Sequence, residues 1–475
     1  MRGTAIQRFL AALGERNEVD TDTPAAPAFK QYANTTRVAL GELAGTPGPL
    51  LRRLLGVTRV GWDQTIRPGT SVVSGCRPVP SGGARYPIEA YLADGSGLHH
   101  YHPAHHALEQ VRAGDYRQAL SSDRPDLVII LTCVFWRTGI RYGEFAYKLQ
   151  CQETGALAAQ FLTLAEEQGA FGKVIQHFDG PAATRLLGLD ADAEGVMTLL
   201  SLHGMTHSGE ASHPAPKHPP NLAGEGLTAA EALPAINRTL PHLLALHTAP
   251  RLGTGGPPPA IPPPSGPSLS LPPPAPIQLH RGINRRASTP AGFAPVPIEA
   301  RQCAGLLHAA ERGYSSALPG TSSGLITCAL YVVVLRVAGL GRGGYRYHQG
   351  RLTRCPGDAA PLPAPGPLDA AALALGEAAI VVVPAGHPFA GVEQYGDAWY
   401  RIQQIEAGIV TQHAALAAAA LGLTSRIHSD FCHPRTDTAL GLPDPSWRGL
   451  SALFIGAVPE RRSPTRWTSR CNEHE

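Results

Sequence analysis

The sequence predicts an α+β fold made of two tandem copies of one domain. Three observations predict it: a proline-rich break near the middle, a repeat of constant offset on either side, and a shared order of strands and helix. At 475 residues the chain is also too long for one ordinary hydrophobic core. We therefore expect two globular halves of similar size, joined by a linker.

The break is marked by composition. Residues 208–226 are rich in His, Pro and Gly, and 250–279 include the run GGPPPAIPPPSGPSLSLPPPAP. Proline at this density favours an extended chain that builds neither a β-ladder nor a helix, so a linker is expected. Between these stretches, 227–249 are expected to form one or two short helices. The expected divisions are an N-terminal extension (1–30), domain 1 (31–207), the linker (208–279), domain 2 (280–465) and a C-terminal tail (466–475).

The repeat relates the two halves without a gap. YGEFAYKLQCQETGALAAQFLTLAEEQG at 142–169 aligns with YGDAWYRIQQIEAGIVTQHAALAAAALG at 395–422, an offset of 253 residues. The same offset pairs Glu153 with Glu406 and continues to LGL at 440–442. An ungapped register over nearly fifty residues indicates a duplicated domain.

The same elements follow one another in each half. A β-rich run comes after a glycine loop, and a buried apolar strand follows, DLVIILTCVF in one half and AAIVVVP in the other. A long helix then carries apolar residues at helical spacing and ends at a glycine. A last strand closes each half, VMTLLSL and LSALFIGAV. Strands together with one long central helix in each half predict an α+β domain.

Composition narrows the class of protein. A net charge of +3 is too small to indicate binding to nucleic acid or to a membrane surface. The start lacks a signal-peptide pattern, and the eight cysteines form no Cys-x-x-Cys pair, which argues against a zinc ribbon. The histidines of LHHYHPAHHAL (98–108) are better explained by a polar β-turn than by a metal site. We expect a cytoplasmic protein without a metal.

Two basic clusters are candidates for binding a phosphate. An enzyme with a phosphorylated cofactor needs fixed cations or a helix N-terminus at the phosphate. One cluster precedes an expected helix at 297–311 and the other follows the closing strand, whereas the first half has neither at YANTTRVAL or LHGMTHSGE. The alternative for each cluster is a solvated basic surface. The candidates are Arg285, Arg286 and Ser288 in the first cluster and Arg461 and Arg462 in the second.

The glycine loops show the opposite asymmetry. The first half has PSGGARYP at 80–87, whereas the second has PGTSSGLIT at 319–327 and lacks the Tyr-Pro end. Alone, the first loop is typical of a tight turn, and no Gly-Lys-Ser/Thr follows as in a Walker loop. A role in ligand binding therefore depends on the rest of a site.

Four motifs together resemble one enzyme family. RPVPSGGARYPIEAYL, VFWRTGIRYGEFAY, ETGALAAQFLTLAEEQG and LLGLD are similar to the flavin-dependent azoline dehydrogenases of peptide natural-product assembly, the SagB-type branch of the nitroreductase superfamily. The resemblance implies the nitroreductase fold, FMN as prosthetic group, and a dimer with each flavin between two subunits. Here the tandem halves would form that dimer within one chain, as an intramolecular pseudo-dimer.

The resemblance also implies a composite site. One half would hold the flavin phosphate and the other would lend the Pro-Ser loop that covers the cofactor. The alternative pairing, YANTTRVAL with PGTSSG, has no phosphate clamp, so we expect one FMN per chain. The residues carried over are Arg285, Arg286, Ser288, Arg461 and Arg462 at the phosphate, Ser429 and Asp430 near the isoalloxazine, and Pro80, Ser81, Gly82 and Gly83 in the loop.

The implied reaction is oxidation of thiazoline or oxazoline rings in a ribosomal peptide, beside a cyclodehydratase and with molecular oxygen as electron acceptor. The family's Lys-Tyr pair is Arg141-Tyr142 here. Arginine does not deprotonate, so Tyr142 is the candidate base if a cation such as Arg141 lowers its pKa. Both residues are alternatively packing and surface groups. Two other functions stay open: a different flavin-dependent oxidation (side-chain desaturation or a nitroreductase-like reaction), and a flavin-free scaffold of a heterocyclase complex.

Overall fold

The computed structural model describes most of both halves. We call residues up to 205 the first half, 253–279 the proline-rich segment, and residues from 280 the second half. The described residues are 3–13, 29–30, 32, 35, 37–41, 48–67, 70–205, 240–249, 253–289, 292–321, 323–356, 375–430, 437–438, 440–443 and 445–459.

The first half is built on a seven-stranded antiparallel sheet of order β1-β6-β5-β4-β7-β9-β8, and a separate hairpin, β2-β3, precedes the glycine loop. The two central strands, β4 and β7, are buried along their whole length, as their continuous apolar sequences predict. The strands are β1 (Arg37–Ala39), β2 (Gly61–Arg67), β3 (Thr70–Cys76), β4 (Ile88–Ala93), β5 (Gly97–His102), β6 (Ala107–Ala113), β7 (Leu127–Val134), β8 (Phe171–Ile175) and β9 (Glu194–His203).

Seven α-helices precede the proline-rich segment in the described part of the chain, and one of them, α5, is long and almost wholly buried. This helix begins after a short turn at Gly143 and ends just before Gly169, where the sequence predicts its end. The polar β-turn predicted within 98–108 is confirmed at 103–106, whereas the rest of that stretch belongs to β5 and β6. The helices are α1 (Thr4–Ala12), α2 (Gly48–Gly56), α3 (Arg117–Leu120), α4 (Phe135–Tyr142), α5 (Ala146–Glu167), α6 (Gly180–Leu187) and α7 (Pro241–Thr248).

The second half repeats this topology. Its sheet has the order β10-β13-β12-β11-β14-β17-β15, with β16 beside β14. The offset of 253 found in the sequence relates β7 to β14, α5 to α11, β8 to β15 and β9 to β17. The strands are β10 (Ser268–Ser270), β11 (Ala329–Val334), β12 (Gly343–His348), β13 (Arg351–Arg354), β14 (Ile380–Gly386), β15 (Thr424–His428), β16 (Arg448–Gly449) and β17 (Ala452–Gly456); the helices are α8 (His280–Ile283), α9 (Ala300–Glu311), α10 (Val392–Tyr395) and α11 (Ala398–Ala420).

The two long helices join the halves. Each packs on its own sheet, and α5 packs against α11. A Cβ atom at Gly155 would overlap the carbonyl oxygen of Ile405, and one at Gly408 would overlap that of Gln152. The two glycines, which the repeat pairs with each other, therefore let the helix backbones approach closely.

The proline-rich segment differs from the expected linker. Ser268–Ser270 pair with Arg351–Thr353 and add an edge strand to the second sheet. The expectation that this segment builds no ladder was wrong here, because Ser-Leu-Ser is free of proline and keeps its backbone N–H groups. One of the short helices expected at 227–249 is α7, while 227–239 lie outside the described residues.

The N-terminal helix α1 is part of the packed structure. Ile6 and Phe9 are fully buried, and the Phe9 ring makes edge contacts with Tyr147 of the first half and Tyr400 of the second. The extension expected at 1–30 thus contributes core residues that touch both halves. Among the described helices, none is both long and apolar enough to cross a membrane.

Candidate functional site

The glycine loop of the first half lies against the end of α4 and the N-terminal half of α5. The Gly82 N–H donates to the Glu153 carboxylate on α5 at 2.7 Å, and the Ser81 hydroxyl accepts from the Tyr86 N–H at 2.8 Å. Gly83 has a φ of 60°, and a Cβ there would lie 3.0 Å from the Tyr142 hydroxyl. A glycine is therefore needed at 83 for both backbone angle and space.

Arg141 and Tyr142 are the last two residues of α4, beside this loop. The Arg141 guanidinium lies 5.6 Å from the centre of the Tyr142 ring. A Cβ at Gly83 would also be 3.4 Å from the Arg141 side chain. The predicted pair and the predicted loop are thus in direct contact.

The second half reaches the chain just before this loop through Arg286. Its Nε and Nη2 atoms donate to the Pro78 carbonyl at 3.0 and 2.8 Å, and burial lowers the pKa of Arg286 to about 10. Arg285 and Ser288 lie close to Arg286 in the sequence, and both are exposed to solvent. Arg461 and Arg462, the other predicted phosphate residues, lie outside the described residues.

A second contact between the halves is made at Ser429. The Lys148 ammonium on α5 donates to the Ser429 carbonyl at 2.8 Å, and the Ser429 hydroxyl donates to the Gln152 side chain at 2.6 Å. Asp430 is half-exposed, and a hydrogen bond with His428 lowers its pKa. One helix, α5, therefore holds both the glycine loop of its own half and the Ser429 turn of the other.

These contacts place most of the predicted site residues around one region, which we call the composite site. Three further residues on α5 complete it and were missed by sequence reasoning. Glu153 had a signal, because the repeat pairs it with Glu406, and Lys148 had another, because the chain contains only four lysines. The composite site comprises Pro80, Ser81, Gly82, Gly83, Arg141, Tyr142, Lys148, Gln152, Glu153, Arg286, Ser429 and Asp430.

The electrostatics at Tyr142 correct one expectation. Burial raises the pKa of Tyr142 above its usual value of 10.0, and this outweighs the lowering by Arg141. Arg141 thus acts in the predicted direction, but the hydroxyl keeps its proton at neutral pH. In this state the Tyr142 hydroxyl can donate a hydrogen bond.

Glu153 is an unusual carboxyl group. Burial raises its pKa to about 8, against the opposing effects of the Gly82 N–H, the Ser81 hydroxyl and Arg77. It lines a small cavity beside the glycine loop together with Arg77, Pro80 and Tyr86. A perturbed carboxyl in such a cavity is typical of functional sites.

The equivalent region of the second half, which we call the counterpart site, is filled. The Glu406 carboxylate accepts from the backbone N–H groups of residues 326–328 at 2.9–3.1 Å and from the Tyr314 hydroxyl at 3.1 Å. Tyr395 is fully buried and donates to the Gly256 carbonyl at 2.6 Å. A Cβ at Gly320 would lie 3.1 Å from Pro257. The proline-rich segment therefore lies between Tyr395 and the second glycine loop.

Comparisons with known proteins agree with this architecture. Residues 64–204 match the Nitroreductase family, so the first half contains a nitroreductase-family domain. A crystal structure of a candidate nitroreductase from Anabaena variabilis is similar to this chain, with a TM-score of 0.74 and 21% sequence identity. The superposition covers 96% of this chain and 99% of the Anabaena chain. The expected nitroreductase-like fold of mixed helices and sheets is thereby confirmed.

A curated relative is similar to part of the chain. The microcin B17-processing protein McbC of Escherichia coli is 26% identical over 133 residues. The alignment covers 24% of this chain and 49% of McbC, so this chain spans about half the length of that relative.

Proposed function

We propose that this protein is an FMN-dependent dehydrogenase that oxidises thiazoline or oxazoline rings to thiazoles or oxazoles in a ribosomally made peptide. The observation that carries the proposal is the composite site. There the glycine loop and Arg141-Tyr142 of one half converge with Arg286 and Ser429 of the other. The two halves would thus act as a pseudo-dimer, with the flavin between them.

The donor set of the composite site fits FMN. A flavin phosphate is a dianion that needs fixed cations and hydroxyl donors. Arg286 is anchored on the Pro78 carbonyl, just before the glycine loop, while the side chains of Arg285 and Ser288 are exposed and make no hydrogen bond to another described residue. These three residues would hold the phosphate, with Arg461 and Arg462 from the chain beyond the described part. The Pro80–Gly83 loop and the Ser429-Asp430 turn would contact the ring system.

The asymmetry between the two sites supports one FMN per chain. Glu406 has its donors within the protein, and residues 253–257 cover Tyr395. Glu153, by contrast, accepts one backbone N–H from a loop whose tip is exposed. A ligand at the counterpart site would have to displace residues 253–257, whereas no described segment of this kind lies over Tyr142 in the composite site.

Bound FMN would supply the hydride acceptor for ring oxidation. The azoline loses one hydrogen as hydride and one as a proton, so the protein has to orient the ring and receive the proton. We assign ring orientation to the protonated Tyr142 hydroxyl, with Arg141 fixing its ring by a cation–π contact. Tyr142 would accept the substrate proton only after releasing its own proton to water, so one proton leaves the site for each ring oxidised.

The similarity to McbC, a microcin B17-processing protein, supports a peptide as the substrate. A cyclodehydratase that makes the azoline would then act immediately before this enzyme. Molecular oxygen is the proposed electron acceptor that returns the flavin to its oxidised state.

Mass spectrometry of an azoline peptide tests the proposal. Incubation with the flavin-loaded protein in air should lower the peptide mass by about 2 Da for each ring oxidised, because two hydrogens are lost. An unchanged peptide mass with flavin bound would contradict azoline oxidation. Purified protein that takes up no FMN would contradict the flavoprotein proposal as a whole.

One observation favours a second candidate, a different flavin-dependent oxidation of a peptide or small molecule. Arginine replaces the lysine of the resembling family at 141, and burial keeps Tyr142 protonated. Neither residue is then a ready base at neutral pH. Flavin reduction by such a substrate, with no change in azoline peptides, would distinguish this candidate.

A further inference from the structure

The proline-rich segment binds the end of α10 as an extended peptide would. The Thr254 N–H donates to the Glu393 carbonyl at 3.2 Å, and the Gly255 N–H donates to the Gln394 carbonyl at 3.0 Å. The Tyr395 hydroxyl completes the set by donating to the Gly256 carbonyl at 2.6 Å. Three consecutive residues of the segment are thus held by three consecutive residues of the helix end.

Glycine is required at two positions of this segment. A Cβ at Gly253 would overlap the Gln394 carbonyl, so only glycine allows the close approach of the two backbones. Gly255 has a φ of +67°, which favours glycine over other residues. The helix end therefore accepts a peptide rich in glycine.

The repeat gives the composite site residues that are equivalent to those at the end of α10. The offset of 253 places Ile140, Arg141 and Tyr142 where the second half has Glu393, Gln394 and Tyr395. The last carbonyls of a helix have no partner within it. In the described part of the chain, nothing donates to the carbonyls of Ile140 and Arg141.

The two helix ends also differ in the solvent exposure of their side chains. Tyr395 is fully buried under the segment, whereas Tyr142 is only half-buried and Arg141 is exposed. The first half thus offers the same two carbonyls and the same tyrosine hydroxyl as the second, with the glycine loop beside the hydroxyl and with both carbonyls free of donors among the described residues.

We propose that the end of α4 is a peptide-binding subsite, where an extended glycine-containing peptide binds as Gly253–Pro257 bind the end of α10. Peptide N–H groups donate to the carbonyls of Ile140 and Arg141, and the Tyr142 hydroxyl donates to a peptide carbonyl. This assignment rests on the proposed function only in taking a peptide as the substrate, and it is independent of the flavin chemistry.

Titration of the full-length protein with capped Gly-Thr-Gly-Gly-Pro, followed by ligand-observed NMR, tests the subsite. The wild type is expected to bind the peptide saturably at about millimolar concentration. Tyr142→Phe removes one hydrogen bond and should weaken binding about threefold to tenfold. The matched control Tyr395→Phe changes the counterpart site and should leave peptide binding unchanged.

A second peptide keeps the test decisive if Tyr142→Phe folds poorly. N-methylation of its third residue removes the N–H that would donate to the Arg141 carbonyl, so binding to the wild type should be lost or strongly weakened. Equal binding of the two peptides, equal binding by the wild type and Tyr142→Phe, or no saturable binding would each overturn the subsite. FMN content is measured on the same samples: peptide binding without flavin contradicts the proposed function alone, and flavin without peptide binding contradicts the subsite alone.

Discussion

Glu153 and Glu406 show how one residue type acquires two roles. The repeat pairs them, and both are buried carboxyl groups on the long helices. Glu406 is held by three backbone N–H groups and a tyrosine hydroxyl, which makes it an anchor for the second glycine loop. Glu153 has one backbone donor and a pKa of about 8, because burial is less fully compensated there. The two carboxyl groups therefore differ in the hydrogen-bond donors that surround them.

Lys148 illustrates why part of the composite site could not be predicted. Sequence reasoning found the glycine loop, Arg286 and Ser429 from motifs. The helix residues that hold these parts together have no motif of their own, because their role depends on the opposite half. Lysine is rare in this chain, and this rarity was a signal for Lys148, but the motifs that carry the family resemblance do not include that signal.

Lys148→Met should weaken FMN binding about tenfold. The substitution leaves the Ser429 carbonyl without its buried donor and frees the turn that we place at the flavin. The matched control is Arg401→Met at the equivalent position of α11, where Nε and Nη2 have no hydrogen-bond partner among the described residues. The measurement is fluorescence titration of the apoprotein with FMN, with thermal unfolding of both variants as a check on folding. Equal FMN affinity in the two variants would contradict the role of Lys148.

Among the secondary-structure elements, the sequence predicted those whose apolar residues recur at regular spacing or that have a counterpart in the other half. The central strands, the long helices and the helix at 297–311 were found because apolar residues recur at regular spacing. The edge strand Ser268–Ser270 was not, because three residues between prolines carry no such period. Its pairing depends on β13, which lies more than eighty residues further along the chain.

The crossing of α5 and α11 depends on Gly155. Substitution by alanine places a methyl group against the Ile405 carbonyl and forces the helices apart, so we expect a loss of about 3 kcal/mol or more in unfolding free energy. Gly56→Ala at the end of α2 is the control, since a Cβ there meets no atom within 4 Å. Urea unfolding of both variants measures the effect. If Gly155→Ala is as stable as Gly56→Ala, the close crossing is wrong.

In the whole molecule, duplication explains why the two halves share one architecture, and divergence between the halves explains why their equivalent sites differ. The two halves keep one topology and one offset, which the repeat alone revealed. They differ in what fills their equivalent sites, and that depends on where the proline-rich segment runs. Its route over Tyr395 has no signal in sequence, because the contacts are made by backbone atoms and by a tyrosine that both halves share.

We propose that each chain has a single composite flavin site. The most direct test is the amount of FMN released by denaturing saturated, desalted protein, measured against the protein concentration. We expect one equivalent of FMN per chain, because residues 253–257 cover the counterpart site. Two equivalents, or none, would contradict it.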